Sequence, residues 1–188
     1  NLFRVRMDRP MLELLGRLKE RNADTIFGAI GDELKKVGVE LQPASLFMET
    51  SMPTPGRLSR REPTAEEQAD IALGLRVAKA TSGLDIGQTV VIKQGTVLAV
   101  EAFEGTDAAI RRAGDLGGEG GAVVKVAKRG HDMRFDIPVV GMHTMKTLRK
   151  AGIRVLAVEA GRTILLERER VVQEADRLGL SFLAVPTE

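Results

Sequence analysis

The sequence contains no cysteine, tryptophan or tyrosine among its 188 residues, and aromatic residues make up only 3% of it. The absence of cysteine excludes disulfide bonds and thiolate chemistry, and it is compatible with a cytoplasmic protein. Few aromatic rings and a net charge of only +2 disfavour a nucleic-acid-binding module, which needs stacking surfaces and basic patches. We expect neither a signal peptide nor a membrane span, because no apolar run approaches about 18 residues.

The composition and the order of the predicted elements favour an α/β fold. Apolar residues make up 43% of the chain and charged residues 29%, as expected of a globular protein. Predicted strands alternate with predicted helices, which is typical of a layered α/β architecture. Two apolar strands, Thr89–Ile92 and Val97–Ala102, resemble a hairpin with Gly95 in its turn. We therefore predict a mixed β-sheet with flanking helices.

The first 52 residues predict one part of a small α/β unit. A helix is predicted over 8–21, with Asp8 as its N-cap. A second helix is predicted over Asp24–Val37 and should end at Gly38, because glycine tolerates the left-handed conformation that follows many helices. A short strand is predicted at Val39–Leu41.

The next segment, residues 53–63, contains three prolines and a glycine. Such a composition predicts an extended linker without regular structure. We place the domain boundary here, between residues 1–52 and a second domain at 64–188.

The second domain should begin with a helix. Thr64 and Glu67 have the spacing of a capping box, and the helix should end near Ser82-Gly83. Later strands are predicted at 122–126, 154–159, 163–166 and 181–185, and later helices after Asp107 and over 143–151 and 167–178.

Two passages of the second domain resemble one another. The sequence VLAVEA occurs at residues 97–102 and again at 155–160. Two chance similarities between buried strands would explain this, but we favour two equivalent strands. These strands would carry Glu101 and Glu159 to corresponding positions in the sheet.

The first candidate site is the turn Glu104-Gly105-Thr106-Asp107, between a strand and a helix. Backbone N–H groups at such a turn point towards a ligand, and Thr106 can either cap the helix or bind a phosphate oxygen. Carboxylates such as Glu104 and Asp107 suit Mg²⁺. The alternative is an ordinary N-cap with acidic residues in the first turn.

The second candidate site extends from the buried strand at 122–126 into a dense polar turn. Lys125 needs a partner, because an unpaired buried ammonium is strongly disfavoured. The turn adds cations and two carboxylates, as the phosphoryl chemistry of metal-dependent enzymes requires. Its polar residues include Lys128, Arg129, Asp132, Arg134 and Asp136. A structural network of salt bridges is the alternative.

The residue types alone predict an anionic, phosphate-bearing ligand and a divalent metal ion. They leave two classes open, a phosphohydrolase and a non-catalytic domain that binds a sugar phosphate or nucleotide. Neither His131 nor His143 has the spacing of a metal ligand.

Most of residues 62–184 resembles a known family. The passages that carry the resemblance are ADIALGLRVAKATSGLDIGQTVVIKQGTVLAVEAFEGTDAAIRRAG, GAVVKVAKRGHDMRFDIPVVG and AGIRVLAVEAGRTILLERERVVQEAD. They are similar to the C-terminal domain of the two-domain UDP-2,3-diacylglucosamine pyrophosphatases of lipid A biosynthesis.

This resemblance implies a Mg²⁺-dependent hydrolase in which water attacks phosphorus. The products would be UMP and 2,3-diacylglucosamine 1-phosphate (lipid X). The resemblance also implies a lipid-linked nucleotide substrate, a homodimer that can exchange domains, and a cytoplasmic location with peripheral contact to the inner membrane. Residues 1–52 would be the C-terminal part of a truncated N-terminal α/β domain, and 64–188 the catalytic domain.

We expect roles for eleven residues. The resemblance places seven of them on polar active-site positions of the family, namely Glu104, Thr106, Asp107, Lys125, Lys128, Arg134 and Asp136, and we infer the individual roles from residue type. Asp132 matches the family's essential aspartate. The expected catalytic residues are Asp132, Lys128 and Arg134; the expected substrate-binding residues are Lys93, Thr106, Lys125, Arg129 and Glu159; the expected metal ligands are Glu104, Asp107, Asp132 and Asp136.

Overall fold

A computed structural model describes residues 7–19, 23–128, 134 and 137–186. Its contacts divide the chain into two units, with a division between Ala44 and Ser45 and with residues 131–136 assigned to the first unit. The predicted domain limits, 1–52, 53–63 and 64–188, stay predictions.

The described part of the first unit contains two helices, α1 (Arg9–Gly16) and α2 (Ala23–Lys36). Asp8 caps α1 as predicted, since its carboxylate accepts a hydrogen bond from the backbone N–H of Met11 at 3.0 Å. The helix is shorter than the predicted range 8–21. The predicted strand at Val39–Leu41 is wrong: these residues form no strand, and Val39 is exposed.

The described part of the second unit contains a six-stranded sheet and a separate two-stranded sheet. Its strands are β1 (Gly56–Arg57), β2 (Thr89–Lys93), β3 (Thr96–Val100), β4 (Ala122–Lys125), β5 (Val139–Val140), β6 (Val155–Glu159), β7 (Ile164–Leu165) and β8 (Ser181–Val185). Its helices are α3 (Ala65–Gly83), α4 (Thr106–Gly117), α5 (Met142–Lys150) and α6 (Arg168–Arg177), and a short 3-10 turn spans Glu49–Ser51. The predicted capping box is confirmed, because Thr64 and Glu67 bond reciprocally at the start of α3.

The larger sheet is mixed, as predicted, with the strand order β1-β8-β6-β4-β2-β3. Strands β4, β6 and β8 are parallel to one another, and β2 is antiparallel to both β4 and β3. Consequently β3 runs in the same direction as β4, β6 and β8. The carboxyl ends of these four strands lie at one edge of the sheet, which we call the carboxyl edge.

Helices cover both faces of this sheet. Strand residues such as Val90, Val124 and Ala157 pack against α3 on one face. Their neighbours Val91, Val123 and Leu156 belong to the core shared with α4, α5 and α6 on the other face. This alternation follows from the two-residue period of a strand, and it determines on which face each polar residue at the carboxyl edge lies.

The prediction that 53–63 lacks regular structure is wrong for Gly56–Arg57. These two residues form β1 and pair with β8 at the border of the sheet. Ser59 is buried and donates a hydrogen bond to the carbonyl of Leu180 at 2.7 Å, while the N–H of Phe182 donates to the Ser59 hydroxyl at 2.8 Å. A border strand tolerates nearby prolines because only one of its sides needs backbone hydrogen bonds.

None of the helices in the described ranges combines the length and the apolar character that a membrane span requires.

Helix α3 packs closely against the sheet at Gly74. A Cβ atom at this position would lie 2.5 Å from Cγ2 of Val124. We therefore predict that Gly74→Ala destabilises the protein by about 1–3 kcal/mol, because the helix would have to move away from the sheet. Urea unfolding measured by circular dichroism tests this.

Gly83→Ala is the matched control, because it lies in the same helix and a Cβ there meets no atom within 4 Å. We expect it to be neutral or to stabilise the helix, since alanine is the better helix former. Equal losses for both variants would contradict the packing argument.

Candidate functional site

A cleft of about 500 Å³ lies at the carboxyl edge, on the face covered by α4 and α5. It is lined by residues that follow β3, by Lys125 at the end of β4 and by the first turns of both helices. The lining residues are Glu104, Gly105, Thr106, Asp107, Ala108, Arg111, Lys125, Val139 and Thr144. The structure thus brings four of the predicted site residues together, namely Glu104, Thr106, Asp107 and Lys125.

The turn before α4 opens directly into this cleft. Gly105 is the N-cap with φ 83°, a left-handed conformation that favours glycine. The interpretation of Thr106 as the cap is wrong, because Thr106 is the first residue of the helix and no side chain caps it. The first N–H groups of a helix have no acceptor within the helix, and they carry its partial positive charge. This end of α4 is therefore suited to an anion.

Lys125 has the partner that its position in a buried strand requires. Its Nζ donates a hydrogen bond to Oγ1 of Thr106 at 2.8 Å. The Thr106 hydroxyl in turn donates to Oε1 of Glu101 at 2.9 Å. The cleft therefore combines a lysine ammonium with a helix N-terminus, and both favour negative charge.

His143 contributes to this site, although its sequence spacing gave no indication of it. It lies in the first turn of α5, and its Nε2 is 3.0 Å from Oδ2 of Asp107. Only the topology brings the two residues together, since α4 and α5 begin at the same edge of the sheet. The usable signal in the sequence was the predicted helix over 143–151, which begins at His143.

Glu104 is already engaged by protein groups. Arg112 donates a hydrogen bond to its Oε1 at 2.6 Å, and the backbone N–H of Ala102 donates to Oε2 at 3.2 Å. The bond from Arg112 is the main reason why the pKa of Glu104 is lowered from its ordinary value. Glu104 thus remains ionised at neutral pH, and its oxygens are held by Arg112 of α4 and by the backbone of Ala102.

The described residues do not by themselves form a magnesium site. Among them, no group of three or more His, Asp or Glu side chains is placed to hold a metal ion. Asp107 is a suitable oxygen donor in the cleft. The other expected ligands, Asp132 and Asp136, lie outside the described residues, as does Arg129.

Lys128 is held through both its side chain and its backbone. Lys128 forms a salt bridge with Asp85, and its carbonyl accepts a hydrogen bond from Nη2 of Arg162 at 3.0 Å. The chain is therefore held at Lys128, directly before the segment predicted as a polar turn. Arg134 has a half-buried side chain and belongs to the first unit.

Lys93 is not brought to the cleft. It ends β2 at the opposite edge of the sheet, where its Nζ donates hydrogen bonds to the carbonyls of Gly117 and Glu119. These contacts hold the glycine-rich loop after α4. The role of Lys93 in substrate binding stays a prediction.

Glu159 reaches the carboxyl edge on the face of α3. It is 1% exposed, and its Oε1 forms a salt bridge with Nζ of Lys79 at 2.6 Å. The backbone of Ala127 closes a ring, because its N–H donates to Oε2 of Glu159 at 2.8 Å and its carbonyl accepts from Lys79 at 3.0 Å. The described contacts of Glu159 are thus internal, and they fix the chain where it leaves β4.

The two VLAVEA strands do carry their glutamates to the same edge. Glu101 follows β3, with its backbone N–H bonded to the carbonyl of Thr89, and Glu159 ends β6. The two side chains lie on opposite faces of the sheet, because alternate residues of a strand share a face. Glu101 lies on the face of Ala99, which belongs to the core with α4, α5 and α6. Glu159 lies on the face of Ala157, which belongs to the core with α3.

Comparison with known proteins identifies relatives of this chain. Residues 54–183 match the family model of the LpxI C-terminal domain, and this range includes the cleft. The chain is also 40% identical, over 171 residues, to the UDP-2,3-diacylglucosamine pyrophosphatase LpxI of Caulobacter vibrioides. The match covers 86% of this chain and 61% of the relative.

We predict that Lys79→Met destabilises the protein by about 3–5 kcal/mol, because it leaves the carboxylate of Glu159 buried without its cation. Lys79→Met combined with Glu159→Gln should recover part of this loss. The glutamine removes the unpaired charge but can still accept the hydrogen bond of Ala127. Urea unfolding measures both variants.

The surface pair Arg177 and Glu174 is the matched control, and Arg177→Met should cost at most about 1 kcal/mol. A double variant no more stable than Lys79→Met alone would contradict the assigned role of the buried charge.

A second prediction concerns the pKa of Glu104. Arg112→Ala removes the hydrogen bond that lowers this pKa, so the pKa should rise towards the ordinary value of a glutamate. An NMR titration that follows the side-chain carboxyl carbon of Glu104 measures the change. Arg76→Ala on α3 should leave the titration unchanged, and an unaltered curve in Arg112→Ala would refute the assignment.

Proposed function

The chain belongs to the family defined by the LpxI C-terminal domain, and we propose from this membership that it hydrolyses the pyrophosphate bond of UDP-2,3-diacylglucosamine to UMP and lipid X in lipid A biosynthesis. The Caulobacter relative is named for its action on this compound. The main support for the proposal is the cleft, which lies in the region matched by the family model and contains groups that can bind a pyrophosphate.

The cleft offers three kinds of group to a pyrophosphate. Lys125 provides an ammonium ion, the first turn of α4 provides backbone N–H groups, and Arg111 at the rim provides a guanidinium. The partial positive charges of α4 and α5 add to this field, because both helices begin at the cleft. These groups would hold the two phosphates and stabilise the negative charge that develops as the bond breaks.

The proposed reaction is attack of water on phosphorus. The water oxygen forms a bond to the lipid-side phosphorus, and the bond from that phosphorus to the bridging oxygen breaks. The bridging oxygen leaves on UMP, and lipid X retains the oxygen of water. We assign activation of the water to Asp132, the residue that matches the family's aspartate.

We propose Mg²⁺ as the cofactor, with Asp107 as the described carboxylate able to contribute an oxygen ligand. A bound Mg²⁺ would supply neutralisation of phosphate charge. The described residues alone do not complete a site for the ion.

The substrate proposed here carries two acyl chains and therefore resides in a membrane. We propose that the protein acts in the cytoplasm, as a homodimer in peripheral contact with the inner membrane. Phe103 supports this proposal, because it is fully exposed directly beside Glu104 of the cleft, and exposed Leu84 and Ile86 lie on the loop before β2. Exposed large apolar side chains beside a site are typical of contact with lipid.

The complete gene product should release UMP from UDP-2,3-diacylglucosamine in the presence of Mg²⁺, and a chelator should abolish the release. We expect Asp132→Ala to eliminate turnover. Lys125→Met should lower kcat by about 10²-fold, since it removes a preorganised charge from the cleft. Chromatography of the released UMP measures all three.

Lys146→Met, an exposed lysine on α5, is the matched control and should retain full activity. A folded protein that binds the substrate without releasing UMP would contradict hydrolysis and support a binding domain. Full activity in Lys125→Met would contradict the assigned site.

A further inference from the structure

Glu101 is hydrogen-bonded to Thr106 of the cleft, although no motif assigns a role to it. It follows β3 at the carboxyl edge, and its Oε1 is 2.9 Å from the Thr106 hydroxyl oxygen. That hydroxyl is also 2.8 Å from Nζ of Lys125. A carboxylate is thus connected to the cleft's ammonium through one hydroxyl group.

The direction of these hydrogen bonds is fixed by the chemistry of the groups. An ammonium can only donate and a carboxylate can only accept, so the Thr106 hydroxyl must accept from Lys125 and donate to Glu101. Both bonds involve a charged partner, which makes them stronger than bonds between neutral groups. The single hydroxyl proton of Thr106 is therefore held by Glu101 and points away from the lysine.

The other oxygen of Glu101 is buried and makes no hydrogen bond with any residue in the described part of the chain. A buried polar atom without a partner lowers stability, so it is poorly explained by a purely structural role. The same arrangement is understandable if Glu101 is needed to organise the cleft.

We propose that Glu101 is a positioning residue for the reaction: it holds the Thr106 hydroxyl as a hydrogen-bond acceptor, and this hydroxyl fixes the ammonium of Lys125 in the cleft. This inference rests on the proposed function. The inference changes the expected role of Thr106, which was to bind a phosphate oxygen. Its hydroxyl donates to Glu101 instead. The phosphates are contacted by Lys125 and by the N–H groups of α4.

Loss of Glu101 should affect the chemical step more than substrate binding. Without the carboxylate, the Thr106 hydroxyl can donate its proton elsewhere, for example to the Thr89 hydroxyl oxygen 3.4 Å away. Lys125 then loses one fixed acceptor, and its ammonium must reorganise as charge develops on the phosphates. A misplaced catalytic group of this kind can cost up to about 10²-fold in rate.

The experiment compares Glu101→Leu and Glu101→Gln in the complete gene product. Glutamine keeps an oxygen that can accept from Thr106, whereas leucine does not. We expect Glu101→Leu to lower kcat by about 10- to 100-fold with KM changed less than about threefold, and Glu101→Gln to retain most of kcat. Glu66→Gln, an exposed glutamate on α3, is the matched control.

Thr106→Val tests the connection between the two residues. If Glu101 acts through Thr106, Thr106→Val should lower kcat to a similar extent, and the double variant Glu101→Leu with Thr106→Val should show no further loss. Losses that multiply in the double variant would overturn the proposal, as would full activity in Glu101→Leu.

An NMR readout keeps the inference separate from the proposed function. In protein labelled with ¹³C-lysine, the side-chain Cε resonance of Lys125, assigned with Lys125→Arg, should shift in Glu101→Leu and Thr106→Val but not in Glu66→Gln. Absence of UMP release by the wild-type protein would contradict the proposed function alone. An unchanged Lys125 resonance in folded Glu101→Leu would overturn the role of Glu101 alone.

Discussion

The common direction of β3, β4, β6 and β8 is the constraint on which the rest of the second unit depends. Parallel strands end at the same edge, so residues far apart in sequence meet there. Helices α4 and α5 must then begin at that edge, and their partial positive charges lie beside Lys125. The cleft is therefore a consequence of topology: one sheet edge gathers an ammonium and two helix N-termini where an anion can bind.

Charged side chains are exposed to a cleft on one face of the sheet and buried as an ion pair on the other. On the face of α4, polar groups remain open to the cleft. On the face of α3, Glu159 and Lys79 are buried together and bond to both backbone groups of Ala127. A buried ion pair contributes little net stability, because desolvation offsets the attraction. The position of this ion pair explains it better, since the pair fixes the chain at Ala127, a few residues before Asp132 in the sequence.

Much of the fold could be predicted from the sequence. Capping at Asp8 and Thr64 and strand β8 followed from local signals, because capping geometry and apolar runs depend on neighbouring residues. Strand β1 could not be predicted, since its pairing with β8 is a long-range contact. In the site, Thr106, Asp107 and Lys125 were recognised by residue type, whereas the contact between Asp107 and His143 depends on two helices meeting at one edge. Lys93 lies at the opposite edge of the sheet. Its residue type could not show this, because a lysine that follows an apolar strand can lie at either edge.

The most direct test of this account is where a pyrophosphate binds. In ¹⁵N-labelled protein titrated with inorganic pyrophosphate, we expect the largest amide shifts at Thr106, Asp107 and Lys125, because their backbone groups surround the cleft. Shifts concentrated near Lys93 and the loop after α4, with the amides of α4's first turn unchanged, would contradict the placement of the site at the carboxyl edge.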